Sequence, residues 1–186
     1  MIAVALDPSA LSIAVAGRGP VAIRRFLALR GGGASNLLLF SDQPDPDLCR
    51  AAGDALRPWL PTSSDLPGLR ALWIAGLPID SAADHAALAR KVGVLVNVED
   101  QPDLCDFHNV AEIRRGDLLL TVSTGGASPR LAARIRSQLA AEYGSEWGDR
   151  LALLRDHRSA WRQAERQPSD VTALTDALLH ANGWLA

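Results

Sequence analysis

The sequence predicts an α/β fold, a parallel sheet covered by helices on both faces and followed by a smaller, more helical part. Three observations carry this. Short, continuously apolar runs alternate with helically spaced stretches from Ser12 to Val98, the pattern of strands buried on both faces. A glycine turn, Gly17-Arg18-Gly19-Pro20-Val21-Ala22, joins the first apolar run to the helical stretch behind it. Beyond about residue 112 long helical stretches replace the alternation. Right-handed crossovers make a Rossmann-like half the natural architecture for the first part.

In chain order, Met1 to Leu6 is apolar, lacks a basic flank and is interrupted by Asp7, so it reads as a short strand and not as a signal peptide. Ser12 to Ala16 is a buried strand, and the helix after it, carrying Ile23, Phe26, Leu27 and Arg30, is stopped by Gly31-Gly32-Gly33. Leu37 to Phe40 is a second strand closed by Ser41 and Asp42, and a short helix is expected between Pro44 and Leu56. Three prolines make Pro58 to Pro67 a loop or edge strand. A strand at Leu72 to Ala75, a helix from about Ala82 to Val92 and a strand at Val94 to Val98 complete the alternation. A strand at Leu118 to Val122 then leads through Thr124-Gly125-Gly126-Ala127-Ser128-Pro129 into a helix from Arg130 to about Tyr143. Two further helices are expected, from Trp147 to Ala164 and from about Ser169 to His180.

Composition narrows the function classes. Of 186 residues, 48% are hydrophobic and 22% charged, the balance of a folded chain with a real core. The net charge of -2 gives no reason to expect a nucleic-acid partner. No run reaches the roughly 18 apolar residues of a membrane span, so no membrane partner and a cytoplasmic location are expected. Cys49 and Cys105 have no metal-binding spacing, and no His/Cys/Asp cluster suggests a permanently bound metal. All cations but Lys91 are arginine, a composition that suits bidentate carboxylate binding and also follows from GC-rich coding.

The glycine turn carries the first chemistry. In a Gly17-x-Gly19-x-x-Ala22 turn the first glycine permits the tight turn, the second admits a pyrophosphate, and the small third residue lets helix pack on strand. Free N–H groups and the positive helix end hold the anion, which makes Gly17, Gly19, Pro20, Val21 and Ala22 candidate cofactor residues. Asp42, at the end of the second strand, would accept hydrogen bonds from an adenosine ribose. No Arg or Lys follows it directly, which favours NAD over NADP. Arg18 is left between phosphate and solvent.

Three segments together resemble the precorrin-2 dehydrogenase family, the N-terminal half of siroheme synthases and their single-function relatives. The first is Val15 to Ala22, in the place of an apolar-GGGxVA turn. The second is Val96-Asn97-Val98-Glu99-Asp100-Gln101-Pro102-Asp103-Leu104-Cys105-Asp106-Phe107, similar to VNVxDxPxxCxF. The third is Arg115-Gly116-Asp117-Leu118 running into Ser123-Thr124-Gly125-Gly126-Ala127-Ser128-Pro129-Arg130-Leu131-Ala132, similar to RGxL…STGGxSPxLA.

The resemblance spans about residues 1 to 165. It implies an NAD-binding Rossmann-like domain at 1–112, a dimerisation region at 113–145 and a helical C-terminal part at 146–186, in a homodimer that oxidises precorrin-2, a tetrapyrrole, to sirohydrochlorin. Asp100 matches the family's catalytic aspartate and stands just beyond a buried strand, where a carboxylate can act as general base. Asn97, His108, Arg115, Ser123, Thr124, Gly125, Gly126 and Ser128 are the candidate substrate-side residues. Arg114, Arg130, Arg134 and Arg136 lie near them as partners for acetate and propionate arms. Some family members also insert iron and others do not, and the sequence leaves both open.

The chain departs from the family at Ala75-Gly76-Leu77-Pro78, on the nicotinamide side, and at Val110, in place of a proline. The methyltransferase half of the fused enzymes has no counterpart, so the chain is not expected to make precorrin-2 itself. Two rival readings remain: a non-catalytic NAD-binding redox sensor with a helical dimerisation tail, and a dehydrogenase of another small substrate.

Overall fold

The computed structural model describes residues 2–185. The first compact unit ends at Asn109 and the second begins at Val110.

The first unit is a five-stranded parallel sheet in the order β3-β2-β1-β4-β5. Its strands are β1 (Ser12–Gly17), β2 (Asn36–Phe40), β3 (Leu56–Arg57), β4 (Ala71–Ala75) and β5 (Leu95–Val98). The helices are α1 (Gly19–Gly31), α2 (Pro46–Ala52) and α3 (Ile79–Lys91). The strand register explains why these runs are apolar throughout. Ile13 and Val15 point to one face, where they pack with Phe26 of α1 and Leu48 of α2. Ala14 and Ala16 point to the other, with Phe40, Ile74 and the small residues Ala82, Ala86 and Ala89 of α3. The central strands β1 and β4 therefore feed two cores and have no polar face to present to water.

The order reverses at β1, which lies between β2 and β4. Ligands bind outside the carboxyl ends of such sheets at this switch point. The free edge of β5 is covered by residues 105–107 rather than by a strand. Asp106 N–H donates to Val96 O at 2.8 Å, and Val96 N–H donates to Asp106 Oδ2 at 2.9 Å. This pairing protects an edge that would otherwise present unpaired backbone.

The second unit has an antiparallel pair, β6 (Ala111–Arg115) and β7 (Leu118–Val122), and three helices, α4 (Pro129–Glu142), α5 (Trp147–Gln163) and α6 (Pro168–Ala181). Only Ile113 of β6 is buried, and its neighbours Glu112 and Arg114 form an exposed ion pair. A strand this charged carries little periodic signal, and the sequence alone predicts no element there.

One element is corrected. The strand expected at Met1 to Leu6 does not form over the described residues: residues 2–7 are irregular, with Ile2 91% and Val4 75% exposed. Apolar content alone gave the run no strand to pair with, and β1 is already flanked on both sides by β2 and β4. Met1 lies outside the described residues. Helix α3 begins at Ile79, earlier than Ala82, because Pro78 sets its extended N-cap. Among the described residues no helix is long and apolar enough to cross a membrane.

Candidate functional site

The carboxyl ends of β1, β2, β4 and β5 bring together most of the residues singled out in the first unit. Gly17 closes β1 against β4 so tightly that a Cβ there would overlap the Ala75 carbonyl oxygen, with the carbonyl carbon at 2.9 Å and the Ala22 Cβ at 3.1 Å. Gly19 has φ +60, and a Cβ built on it would meet nothing within 4 Å. So the first glycine serves packing and the second leaves open space at the start of α1. No side chain caps this helix, its N-cap Arg18 is extended, and its first turn carries no acid. Its free N–H groups and positive end suit a pyrophosphate, so the residues present fit a dinucleotide.

Asp42 stands two residues beyond the end of β2, and Arg18 reaches it. Arg18 Nε donates to Asp42 Oδ1 at 2.8 Å and Nη2 to Oδ2 at 2.7 Å. The hydrogen bond from Arg18 lowers the Asp42 carboxyl below its ordinary value, and the same bond raises the Arg18 guanidinium. No Arg or Lys follows Asp42 directly in sequence, yet a guanidinium attends it in space. The arginine comes from the glycine turn, 24 residues upstream, where adjacency to Asp42 could not reveal it.

Asp100 lies in the turn after β5, exposed, with φ +61. A non-glycine residue in this region costs on the order of 1 kcal/mol or more and persists only where its surroundings hold it. The surroundings here are specific. Glu99 N–H donates to Ile74 O at 2.9 Å, and Gln101 N–H donates to Val98 O at 3.2 Å. The Cys105 thiol accepts from Val98 N–H at 3.2 Å, and the carbonyls of Val98 and Gln101 each lie 3.2 Å from Sγ as acceptors for its proton. On the other side Glu99 meets Arg25 of α1 at 3.3 Å. A small cavity of about 60 Å³ opens between the ends of β4 and β5, lined by Ile74, Gly76, Leu77, Val98, Glu99 and Gln101. Gly76 and Leu77 of the Ala75-Gly76-Leu77-Pro78 departure therefore form part of its wall.

Asn97 is 4% exposed and its amide is fully engaged. It donates to Phe107 O at 2.8 Å and accepts from Asn109 Nδ2 at 2.8 Å, while Asn109 accepts from Trp73 Nε1 at 2.9 Å. Phe107 packs edge-on to Trp73, with ring centroids 5.0 Å apart. Asn97 thus anchors the 105–109 segment, and His108 within that segment is exposed. Cys105 and Asp106, which the sequence reading left without a role, fasten the same segment to β5. The signal for Cys105 was its place in the DxPxxCxF segment, whereas Asp106 falls at an unspecified position of that pattern.

In the second unit, the segment between β7 and α4 is shaped by its own hydroxyls. Thr124 Oγ1 accepts from Ser128 N–H at 3.2 Å and donates to Ser128 O at 3.1 Å. Ser123 Oγ accepts from Gly125 N–H at 3.3 Å, and Ser128 caps α4 through Leu131 N–H at 3.2 Å. Gly125 and Gly126 both have positive φ and are exposed. Arg115 does not stand free for a ligand. Its guanidinium donates to Tyr143 O at 3.0 Å, Arg114 O at 3.1 Å and Ala140 O at 3.4 Å, so it satisfies carbonyls at the end of α4. Among the described residues no three His, Cys, Asp or Glu side chains come together as metal ligands.

Residues 4–111 match the family described as "Putative NAD(P)-binding", and residues 115–142 match "Sirohaem biosynthesis protein central". The siroheme synthase of Methylococcus capsulatus is 37% identical over 164 residues, covering 83% of this chain and 33% of that protein. The siroheme synthase of Thioalkalivibrio sulfidiphilus is 34% identical over 148 residues, covering 77% and 30%. That of Nitrosomonas europaea is 40% identical over 97 residues, covering 49% and 20%. The chain spans about a third or less of the length of these relatives. Among solved structures, "SirC, precorrin-2 dehydrogenase" shares the fold with a TM-score of 0.77 at 21% identity, covering 96% of this chain and 89% of that one.

Proposed function

From the premise that this chain belongs to the NAD(P)-binding family matched by residues 4–111, with a sirohaem-biosynthesis segment behind it, we propose that it oxidises precorrin-2 to sirohydrochlorin with NAD, in the cytoplasm and as a homodimer. The observation that carries the reading is Asp100, an exposed carboxylate held at positive φ at the carboxyl edge of the sheet that also bears the glycine turn. Strain of this kind at a ligand-binding edge points to function, and a dehydrogenation leaves a proton for a base to collect.

A bound nicotinamide dinucleotide would supply the hydride acceptor. Gly17, Gly19, Pro20, Val21 and Ala22 would hold its pyrophosphate at the start of α1, and Asp42 its adenosine ribose. Asp100 takes the proton released from the reduced tetrapyrrole. His108 in the first unit and the Gly126 N–H group in the second are the donors we assign to substrate carboxylates, with Ser123, Thr124, Gly125 and Ser128 shaping the turn of the second. Asn97 and Arg115 support their segments from behind.

The test mixes the purified chain with precorrin-2 and NAD and follows NADH absorbance together with the sirohydrochlorin spectrum. Dinucleotide binding with no tetrapyrrole turnover would overturn the enzyme reading and leave a sensor. NADH formed only with another substrate would overturn precorrin-2. Sedimentation as a monomer at micromolar concentration would overturn the homodimer.

A further inference from the structure

Arg18 is the x of the Gly17-x-Gly19 turn, and its backbone is fixed on both sides. Its N–H donates to Ala75 O at 3.1 Å. Its carbonyl lies so close to Gly76 that a Cβ there would overlap the oxygen, with the carbonyl carbon at 3.5 Å. From this fixed base the side chain crosses to the end of β2 and grips Asp42 with two parallel hydrogen bonds of 2.8 and 2.7 Å. The two side chains remain 26% and 36% exposed, so the pair lies at the mouth of the crevice.

A lone carboxylate at the end of β2 accepts from the adenosine ribose diol and repels a phosphate on the 2′ oxygen, whereas a nearby arginine accommodates that phosphate. Here both groups occupy one place. The pair has no net charge, so the repulsion that a bare Asp42 would exert on a 2′-phosphate is cancelled by the guanidinium beside it. Neither partner is exhausted. Arg18 uses two of its five N–H groups on Asp42 and keeps three, and the carboxylate oxygens retain lone pairs for ribose hydroxyls.

We propose that the Arg18–Asp42 pair is a charge-neutral selector for the adenosine ribose: Asp42 takes the diol of NAD, Arg18 takes the 2′-phosphate of NADP, and the chain binds both dinucleotides. This rests on the glycine turn being the dinucleotide site. Arg18 is the NADP determinant, and Asp42 alone would reject that cofactor.

Calorimetry of NAD⁺ and NADP⁺ binding to the intact chain tests this, with circular dichroism confirming that each variant folds. The wild type is expected to bind the two with affinities within about tenfold of each other, because a neutral pair leaves little electrostatic preference. Arg18→Gln removes the charge-assisted bonds and bares Asp42, so the affinity for NADP⁺ relative to NAD⁺ falls by about 10–100-fold. Asp42→Asn shifts the ratio the opposite way, towards NADP⁺. If both variants leave the ratio at the wild-type value, or if Arg18→Gln weakens both cofactors equally, the selector is overturned while the cofactor site stands. A folded wild type that binds neither dinucleotide overturns the site and the selector together.

Discussion

Replacing Gly17 and Gly19 one at a time by alanine separates what the glycine turn does for the fold from what it does for a ligand. A methyl group at Gly17 would overlap the Ala75 carbonyl oxygen and lie 2.9 Å from its carbon and 3.1 Å from the Ala22 Cβ. The first two atoms are backbone of β4, bonded into the sheet on both sides, and cannot swing away as a flexible side chain would. Strands β1 and β4 must separate or the turn must unwind. Overpacking of this kind costs about 1–3 kcal/mol, occasionally more, and for a chain of this size each kcal/mol lowers Tm by roughly 2–4 °C. Gly17→Ala should therefore melt roughly 2–12 °C lower.

Gly19→Ala meets nothing within 4 Å and suffers only the strain of φ +60, about 1–2 kcal/mol. Its methyl group fills the space assigned to the pyrophosphate, so its larger effect falls on affinity. Thermal melts read by circular dichroism and calorimetry with NAD⁺ separate the two effects. Nucleotide affinity should fall at least tenfold in Gly19→Ala, with the smaller loss of Tm. Gly19→Asp, which adds a negative charge, should abolish binding. If Gly17→Ala melts with the wild type, or Gly19→Ala binds as tightly as the wild type, the division of labour between the two glycines is wrong.

Asp100→Asn keeps the volume and tolerates positive φ, so precorrin-2 oxidation should fall by about 10²–10⁴-fold while NAD⁺ affinity and Tm stay near wild type; wild-type turnover would make Asp100 a turn residue only. Cys105→Ala leaves Val98 N–H without its acceptor, which should cost about 1–2 kcal/mol in urea titrations and lower kcat by loosening the Asp100 turn. Cys105→Ser, which keeps a donor and an acceptor, should recover most of both, and an alanine variant with wild-type kcat would refute the positioning role. The Asp42 carboxyl is lowered from 3.8 by the hydrogen bond from Arg18, so its contribution to stability is present above that pH and is lost as pH falls through the lowered value. Because the pair is partly exposed the difference should be under about 1 kcal/mol; a wild type that loses no more stability than Asp42→Asn between pH 5 and pH 3 would contradict it.

The parallel sheet was legible because each of its long strands is buried on both faces, which leaves a run such as Ser12 to Ala16 with no polar residue in its interior. The β6 strand was not, because a two-stranded ribbon with one buried residue, Ile113, leaves its other positions free to be charged. The Met1 to Leu6 run shows the converse: apolar residues propose a strand, and only a free partner edge makes one. At the site, spacing after a strand pointed to the glycine turn, whereas Asp100 was singled out by the family resemblance of the segment that carries it. The Arg18–Asp42 bond joins residues 24 apart through side chains alone. No local pattern encodes it, because which loop an arginine crosses depends on how β1 and β2 are ordered in the sheet. The same limit applies to Asn97 and Arg115. Their neighbours in sequence suggested a substrate, but their partners in space are Phe107, Asn109 and the end of α4. A polar residue inside a motif can serve a ligand or the segment that carries it. The count of hydrogen bonds already made within the protein decides between the two, and by that count the Asp100 carboxylate, unlike those of Glu99 and Asp106, remains available.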